Sequence, residues 1–443
     1  MSAVHATPPA AHVRVAPAPR VPLQVDPDTA LLTSQPYLRQ INWVSSPVPV
    51  NQPLVAVLDT GVQNGAAGLA GRINTALAMT YVQGGNPLVD PEGHGTHVAG
   101  IISTVASGTQ ARPGAMILPV QIADAQGSTS AQAVASGIRY AVLRGAKIIN
   151  LSVQGAGYSK VEQQAIDDAT RAGVLVVAAS GNTGAEAKEY PGAYRHVLAV
   201  GAVDAAGTPL PTSTRGLQVA IAAPGQDIVS SSHDPNARFE SRTGTSMAAA
   251  VISGVAARIL AARPTLKPDQ VIEMIMASGR NPASAVDRAR GAGVVDLVRA
   301  LRLPTPVPDA PEPDDDPPNA RILPALIAKG ATHGERYGRL RTWADLRDDS
   351  VVHLEAGQRM TAEATVGNNA DVDLYLWKPG TPAPRSITDF PRQWLAKGAV
   401  NRGSTEDLTY RATQAGDYVL EVRLAGAQRI VRPTYHLQVD ISR

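Results

Sequence analysis

Four short segments of the chain carry side chains whose chemistry is complementary. They supply a carboxylate, an imidazole, a side-chain amide and a hydroxyl. The segments are Val55–Gly61 with Asp59, Gly93–Gly100 with His94, Ala179–Asn182 with Asn182, and Gly244–Ala248 with Ser246. A serine hydroxyl is a weak nucleophile until a neighbouring base takes its proton and a third group orients that base. An amide N–H can stabilise the oxyanion that forms on attack. Together these are the parts that a serine peptidase needs.

The residues around Ser246 are typical of a turn that exposes a serine hydroxyl. Gly244 and Thr245 precede it, and the small residues Met247–Ala250 follow it. This pattern predicts a tight turn that runs into a helix and points backbone N–H groups at a developing oxyanion. A serine before an apolar helix is otherwise an N-cap, and the motif alone leaves that alternative open.

His94 is flanked by two glycines and is followed by an apolar stretch, which predicts a helix that begins at His94 and packs in the core. His97 lies three residues further along. An H-x-x-H pair can bind a metal, but the acidic residue of an H-E-x-x-H motif is missing, so we expect His97 to be structural. Asp90 and Glu92 are expected to be solvated loop charges.

Asp59 and Asn182 each follow a predicted buried strand, Leu54–Leu58 and Val174–Ala179 respectively. The carboxyl ends of strands in a doubly wound sheet are where ligands and catalysis concentrate. A carboxylate there can accept a hydrogen bond from an imidazole and fix its tautomer. Taken alone, Asp59 would cap a turn and Asn182 would be an ordinary turn residue.

Residues 35–303 alternate apolar strands with helices. Continuous apolar stretches such as Val174–Ala179 predict strands that are buried on both faces. Apolar residues at helical spacing over Ser130–Arg144 and Tyr158–Ala172 predict helices between the strands, the first with Ser130 as its cap. The alternation predicts an α/β fold with a doubly wound, mostly parallel sheet. Residues 1–34 are rich in Pro and Ala and are predicted to form a flexible arm.

The character of the sequence changes after this first domain. Residues 304–320 are predicted to be a linker, because Leu303–Asn319 contains seven Pro and five acidic residues. Residues 321–443 are predicted to be a small all-β sandwich, because short segments alternate apolar and polar residues between Gly, Pro and Asn. Two of those segments, Asp371–Trp377 and Gly416–Val422, resemble the bacterial pre-peptidase C-terminal domain.

The four motifs, in the order Asp, His, Asn, Ser, resemble those of the subtilisin-like serine proteases, the subtilase family (peptidase S8). The resemblance runs through most of residues 35–303 and implies a subtilisin-like catalytic domain. It implies that Ser246 is the nucleophile, His94 the general base and Asp59 the group that orients His94. Asn182 and the backbone N–H of Ser246 would form the oxyanion hole.

The resemblance also implies a set of substrate-binding residues, which are Ser152, Val153, Gln154, Gly155, Gly181 and Glu189. In this family the substrate binds as an added strand. Gln154 stands where the family commonly has Gly, which predicts a narrower site. Glu189 falls at the floor of the specificity pocket, where a carboxylate would favour Arg or Lys on the acyl side of the cut bond. A solvated loop charge is the alternative interpretation of Glu189.

No cofactor is required for this chemistry, and no residue is assigned as a metal ligand. Many subtilases bind calcium in a loop after the histidine helix. The matching stretch here, Ser103–Pro113, is short and has neither carboxylate nor Asn. Since calcium takes several oxygen ligands, we expect that particular site to be absent, which leaves calcium binding elsewhere open.

Bulk composition limits the partners. A formal net charge of +2 gives no reason to expect nucleic acid or an anionic membrane surface as a partner. The resemblance implies protein or peptide substrates, and we expect a monomer. The absence of Cys excludes disulfides and thiol catalysis. No apolar run reaches the ~20 residues that a membrane span needs.

The leading hypothesis is a secreted serine endopeptidase of general or moderate selectivity. The first 30 residues show no apolar core of a signal peptide, and no propeptide pattern precedes residue 35, so a cytoplasmic location is the alternative. Two other functions stay open: an intracellular protease that processes a specific precursor, and an inactive binding scaffold on a protease fold.

Overall fold

The computed structural model describes residues 27–45, 52–107, 114–281, 287–306, 325–340, 347–367, 370–381, 395–399, 405–424 and 434–443. Two short helices come first, α1 (Pro27–Thr33) and α2 (Pro36–Gln40). The predicted flexible arm, 1–34, is therefore wrong in its last part, because α1 is helical and buries Leu32. Residues 1–26 of that arm lie outside the described residues.

A seven-stranded sheet forms the centre of the first domain. Its strands are β1 (Leu54–Asp59), β2 (Met79–Thr80), β3 (Met116–Gln121), β4 (Ile148–Leu151), β5 (Leu175–Ala179), β6 (Val197–Val203) and β7 (Val219–Pro224). They lie in the order β2-β3-β1-β4-β5-β6-β7, and all neighbours are parallel. Most strand residues are buried on both faces, which is why the sequence shows continuous apolar runs rather than alternation.

Helices cover both faces of this sheet. They are α3 (His94–Ala106), α4 (Ala131–Leu143), α5 (Lys160–Arg171), α6 (Thr245–Ala262), α7 (Pro268–Ser278) and α8 (Leu297–Arg302), with a 3₁₀ turn at Thr75–Leu77. α3, α6 and α7 share one apolar core with sheet residues such as Val57, whereas α4 and α5 share the other with residues such as Leu58. Ser130 caps α4 by accepting a hydrogen bond from the N–H of Ala133 at 3.2 Å. The doubly wound α/β fold is confirmed.

The order of the strands decides where a site can form. β1 lies between β3 and β4, so the chain builds to one side of β1 first and then to the other. The carboxyl end of β1 is therefore the topological switch point, where ligands bind in open α/β sheets. Because β1, β4 and β5 are parallel neighbours, the segments that follow them lie side by side at one edge of the sheet.

α6 is the central helix of the domain. It packs against β4, β5, β6, β7 and α3, and all but its last residue are buried. By length and composition α6 could cross a membrane, but burial within the protein makes it a core helix. An antiparallel hairpin of β8 (Ile228–Ser231) and β9 (Phe239–Arg242) precedes α6 and was not predicted from the sequence.

The C-terminal part of the chain forms two further sheets. Their strands are β10 (Ala325–Ile327), β11 (His333–Arg339), β12 (Arg347–Leu354), β13 (Arg359–Val366), β14 (Val372–Trp377), β15 (Leu395–Ala399), β16 (Thr405–Arg411), β17 (Gly416–Leu424) and β18 (Thr434–Ser442). The orders are β10-β12-β17-β14-β15 and β11-β18-β13-β16, antiparallel except for β10 with β12. Both sheets contribute to one apolar core, as the predicted small β domain requires.

Alternation of apolar and polar residues predicted several strands of this β domain. In β13 every second residue is buried, from Met360 to Val366. β10, β11, β15 and β16 were not predicted. The predicted linker 304–320 is described only as far as Pro306, so it and the domain boundaries stay predictions, as does the resemblance to a pre-peptidase C-terminal domain.

Candidate active site

Asp59 and His94 are in direct contact at the carboxyl edge of the seven-stranded sheet. Nδ1 of His94 lies 2.8 Å from Oδ1 of Asp59. The Asp59 side chain, at the end of β1, is 1% exposed, whereas the His94 side chain, at the start of α3, is 21% exposed. The backbone N–H of Thr60 donates to the same carboxylate oxygen at 2.8 Å. A buried, held carboxylate therefore orients a partly exposed imidazole.

Asp90 ties these two elements together. The sequence analysis expected a solvated loop charge, which is wrong, because Asp90 is buried. Its Oδ2 accepts hydrogen bonds from the N–H and the hydroxyl of Thr96, at 2.7 and 2.6 Å. Its Oδ1 accepts from the Thr60 hydroxyl at 2.7 Å and from the N–H of Gly93 at 2.8 Å. A carboxylate at a helix N-terminus is favourable, and this one joins the first turn of α3 to the end of β1.

The two histidines of α3 have opposite electrostatic surroundings. Burial alone would lower the pKa of the His94 imidazole, but the Asp59 carboxylate and the charge of Glu92 outweigh burial and raise it. His97 is fully buried, and its Nε2 lies 2.9 Å from the carbonyl oxygen of Ile228, to which it donates. Burial lowers the pKa of His97 to about 3, so this ring stays neutral and links α3 to β8.

Ser246 is the second residue of α6 and is buried beside the segment that follows β4. Its hydroxyl donates to the carbonyl oxygen of Ser152 at 3.2 Å, and the Ser152 hydroxyl donates to the Ser246 carbonyl oxygen at 3.2 Å. Within the described residues, the Ser246 hydroxyl makes no hydrogen bond to His94. In the structure Asp59 is therefore hydrogen-bonded to His94, whereas Ser246 is hydrogen-bonded to Ser152 in a predicted substrate-binding segment.

Asn182 is held against the first turn of α6. Its Oδ1 accepts hydrogen bonds from the N–H and from the hydroxyl of Thr245, both at 3.0 Å. The side-chain nitrogen of Asn182 makes no hydrogen bond to any residue that the structure describes, so its donors are available to a ligand. The Oε1 of Gln154 accepts from the N–H of Asn182 at 2.7 Å. Gln154 therefore spans the two segments predicted to bind substrate.

We propose that Asn182 donates to the oxyanion, and we expect its replacement by Leu to lower kcat by about 10²–10³-fold, the loss known for an oxyanion-hole donor of a subtilisin. The amide donor acts on charge that develops only in the transition state, so KM should stay close to that of the unchanged protein. Steady-state kinetics on a peptide ester or amide measures both constants. An increase of KM at constant kcat would instead assign Asn182 to ground-state substrate binding.

Glu189 lies directly beneath Gly181. Gly181 has φ +110°, and a Cβ at that position would stand 2.8 Å from Cγ of Glu189, so only glycine fits. Glu189 is 7% exposed, and no described residue forms a hydrogen bond or an ion pair with its carboxylate. The adjacent Tyr190 exchanges backbone hydrogen bonds of 2.8 and 2.7 Å with Gly155. Glu189 is thus set between the two predicted substrate-binding segments.

Residues able to hold a metal are not grouped in the described parts of the chain: these contain no cluster of three or more His, Asp or Glu with suitable placement. The expectation about calcium after the histidine helix stays a prediction, since residues 108–113 lie outside the described residues.

Sequence reasoning missed a second set of contacts at the site. Glu92 was expected to be solvated, but its carboxylate accepts a hydrogen bond from Arg242 at 3.1 Å and another from the N–H of His94 at 2.7 Å. The available signal was the position of each residue: Glu92 stands two residues before His94, and Arg242 stands four residues before Ser246.

An orienting carboxylate, an imidazole, a helix-start serine and an amide donor, brought to the switch point of a doubly wound sheet, define a serine protease of the subtilisin type. The chain belongs to the subtilase family, because the family profile for Peptidase S8, the subtilase family, matches residues 51–293.

Individual relatives agree with this assignment. The chain is 39% identical over 238 residues to the cell wall-associated protease of Bacillus subtilis (strain 168), which covers 53% of this chain and 26% of that protein. It is 39% identical over 206 residues to thermitase of Thermoactinomyces vulgaris, with 46% and 72% covered. It is 33% identical over 273 residues to subtilisin Savinase of Lederbergia lenta, with 59% and 97% covered.

A solved structure supports the fold. The crystal structure of a lanthipeptide protease superposes with a TM-score of 0.53 at 23% sequence identity, and the match covers 62% of this chain and 92% of that chain.

Proposed function

We propose that this protein is a serine endopeptidase that hydrolyses peptide bonds through an acyl-enzyme on Ser246. The observation that carries the proposal is the 2.8 Å contact between the buried Asp59 carboxylate and the partly exposed His94 imidazole. Asn182 and Ser246 lie at the same edge of the sheet as this pair. Membership of the subtilase family supports the same reaction.

In the proposed mechanism the Ser246 hydroxyl first turns from the Ser152 carbonyl oxygen toward Nε2 of His94. Rotation about the Cα–Cβ bond moves the oxygen between staggered positions while α6 stays in place. Catalytic hydrogen bonds often tighten only when substrate is bound. The resting contact at 3.2 Å is at the long end of hydrogen-bond range and is readily exchanged.

The Ser246 oxygen then attacks the scissile carbonyl carbon while His94 accepts its proton. Asp59 stays ionised and stabilises the imidazolium. The amide of Asn182 and the backbone N–H of Ser246 donate to the oxyanion. His94 returns the proton to the leaving amine, and water, deprotonated by His94, hydrolyses the ester and frees Ser246.

A fluorophosphonate probe tests the proposed nucleophile directly. We expect the folded protein to incorporate one probe per chain, on Ser246, and the unfolded protein to incorporate none. Peptide mass analysis locates the adduct. A folded protein that stays unlabelled would turn the assignment toward an inactive scaffold.

We propose further that Glu189 selects Arg or Lys on the acyl side of the cleaved bond. Two observations support this: Glu189 is 7% exposed as a residue, and no described residue forms a hydrogen bond or an ion pair with its carboxylate. A cationic substrate side chain that reaches this carboxylate gains a charge-assisted hydrogen bond. Gly181, which has no side chain, lets its backbone pack directly against the Glu189 side chain.

We expect Glu189→Gln to lower kcat/KM for Arg and Lys substrates by about 10²-fold, because a charge-assisted hydrogen bond of about 1.5–3 kcal/mol is lost. Cleavage after Leu should change little, since it makes no such bond. A peptide series that varies only the residue before the cut bond measures the ratio. The matched control is Glu186→Gln, on the same loop and exposed, which should leave the ratio unchanged. Equal rates for Arg and Leu in the unchanged protein would refute the proposal.

We propose that the substrates are proteins or peptides outside the cell. One relative carries the name of a cell wall-associated protease, which supports this location. Fractionation of producing cells, with the fluorophosphonate probe as a tag, tests it. Labelled protein in the medium or at the wall is the expected result, and labelled protein confined to the cytoplasm would favour an intracellular processing role.

A further inference from the structure

Glu92 and Arg242 connect the segment before His94 with the segment before Ser246. Nη1 of Arg242 donates to both carboxylate oxygens of Glu92, at 3.2 and 3.1 Å. Nη2 donates to the backbone carbonyl oxygen of Glu92 at 2.9 Å. Nε donates to Glu240 at 3.0 Å. Every nitrogen of the guanidinium therefore has a partner, and three of its four hydrogen bonds hold one residue.

Glu92 also links Arg242 directly to His94. Its Oε2 accepts from the backbone N–H of His94 at 2.7 Å, so the Glu92 side chain joins Arg242 to the first residue of α3. The intervening residue, Gly93, makes room for the arrangement. It has φ +90°, and a Cβ there would lie 2.1 Å from Nδ1 of His233 and 2.9 Å from Nη2 of Arg242. The guanidinium therefore packs on the backbone immediately before His94.

At its other end the ion pair lies four residues before Ser246 in the chain. Arg242 ends β9, and α6 begins three residues later at Thr245. The two reacting side chains come from different elements, His94 from α3 and Ser246 from α6. Each lies near one end of the Glu92–Arg242 pair. A fixed pair therefore limits relative movement of the two segments.

We propose that Glu92 and Arg242 are positioning residues: their ion pair clamps the start of α3 to β9 and so sets the His94 imidazole against Ser246. This inference rests on the proposed peptidase function and deepens it. Arg suits such a role because its planar fork binds a carboxylate and a carbonyl oxygen at fixed angles, whereas Lys carries a single ammonium.

The clamp also places two opposite charges beside the general base. The titratable groups around the start of α3 are Asp59 at the end of β1, Glu92 before α3, Arg242 and Glu240 on β9, His233 beside Gly93, and the neutral His97 on α3. Glu92 raises the pKa of His94, and Arg242 lowers it. Since only the neutral imidazole can accept the serine proton, the acid limb of kcat/KM follows the pKa of His94.

The test compares Arg242→Gln, Glu92→Gln, the double variant and Arg242→Lys, with kcat and the pH profile of kcat/KM on an uncharged peptide ester. We expect each Gln variant to lower kcat by about 10- to 100-fold with little change of KM, because the reacting groups lose alignment.

The acid limb of kcat/KM should move to higher pH in Arg242→Gln and to lower pH in Glu92→Gln. The double variant should lose no more kcat than one single variant, since both remove the same contact.

Arg242→Lys distinguishes the effect of the positive charge of Arg242 from that of its planar guanidinium geometry. Its charge should keep the acid limb near that of the unchanged protein, while kcat falls because an ammonium cannot hold the carboxylate and the carbonyl of Glu92 together. The matched control is Arg238→Gln, which removes an exposed ion pair with Asp28 next to the same strand and should leave both readouts unchanged. Thermal melting shows which variants are folded, and Arg242→Lys with Glu92→Gln carries the test if Arg242→Gln does not fold.

Two results would overturn the clamp alone: kcat and pH profiles equal to those of an active unchanged protein, or acid limbs that move in the same direction in both Gln variants. An unchanged protein without labelling or peptidase activity would refute the proposed function, and this inference would fall with it.

Discussion

Replacement of Ser246 by Ala is expected to lower kcat by about 10⁶-fold, the loss known for the corresponding serine of a subtilisin. The reason is that in the proposed mechanism the Ser246 oxygen forms the acyl-enzyme. Asn182 and the backbone donors at the start of α6 remain, so a small residual rate above that of water should persist. Active-site titration together with kcat on an ester substrate measures the effect.

A measurement of stability distinguishes this loss of kcat from damage to the fold. Among the described residues the Ser246 hydroxyl donates to the Ser152 carbonyl oxygen alone, so its removal costs one hydrogen bond of about 1 kcal/mol. The thermal midpoint should therefore stay within a few degrees of that of the unchanged protein. A Ser246→Ala variant that keeps more than a small fraction of the activity would show that another residue is the nucleophile.

Asp59→Asn is expected to lower kcat by about 10⁴-fold, the scale seen when the aspartate of such a triad is neutralised. Oδ1 of Asp59 accepts from both His94 and the N–H of Thr60. If the amide oxygen of Asn takes that place, the charge that stabilises the imidazolium is gone. If the amide nitrogen takes it, a donor meets the N–H of Thr60, and the bond to Nδ1 forces the wrong tautomer on His94.

The pH profile provides a second readout of the same variant. Asp59 is the main group that raises the pKa of His94, so its neutralisation should move the acid limb of kcat/KM to lower pH. Asp168→Asn, which changes an exposed carboxylate on α5, should leave both kcat and the acid limb unchanged. An acid limb that stays in place in Asp59→Asn would show that another residue sets the protonation of the base.

Much of the fold was predictable because burial determines where apolar residues stand along the sequence. Strands buried on both faces appear as continuous apolar runs, as in Leu54–Leu58, and the helices between them show apolar residues at a spacing of three to four residues. The positions of Asp59 and Asn182 followed from the rule that sites form at the carboxyl ends of parallel strands. The edge strands of the β domain and the hairpin before α6 showed no such pattern of apolar residues.

Side-chain partners were harder to predict, because hydrogen bonds depend on three-dimensional proximity and leave no periodic pattern. Asp90 and Glu92 read as loop charges, yet one is buried with four donors and the other pairs with an arginine distant in sequence. The resting contact of Ser246 with Ser152 was equally invisible. What a single sequence predicted well was which elements meet, and what it predicted poorly was which atoms then bond.

The proposed nucleophile lies on the most deeply packed helix of its domain, which affects the durability of the enzyme. Ser246 lies on the first turn of α6, whose sides are covered by α3 and by four strands of the sheet. Local fraying at the surface cannot displace its backbone, since that requires the whole core to open. Loss of activity on heating should therefore keep pace with cooperative melting of the domain, so that the working lifetime of the catalyst equals the lifetime of its fold.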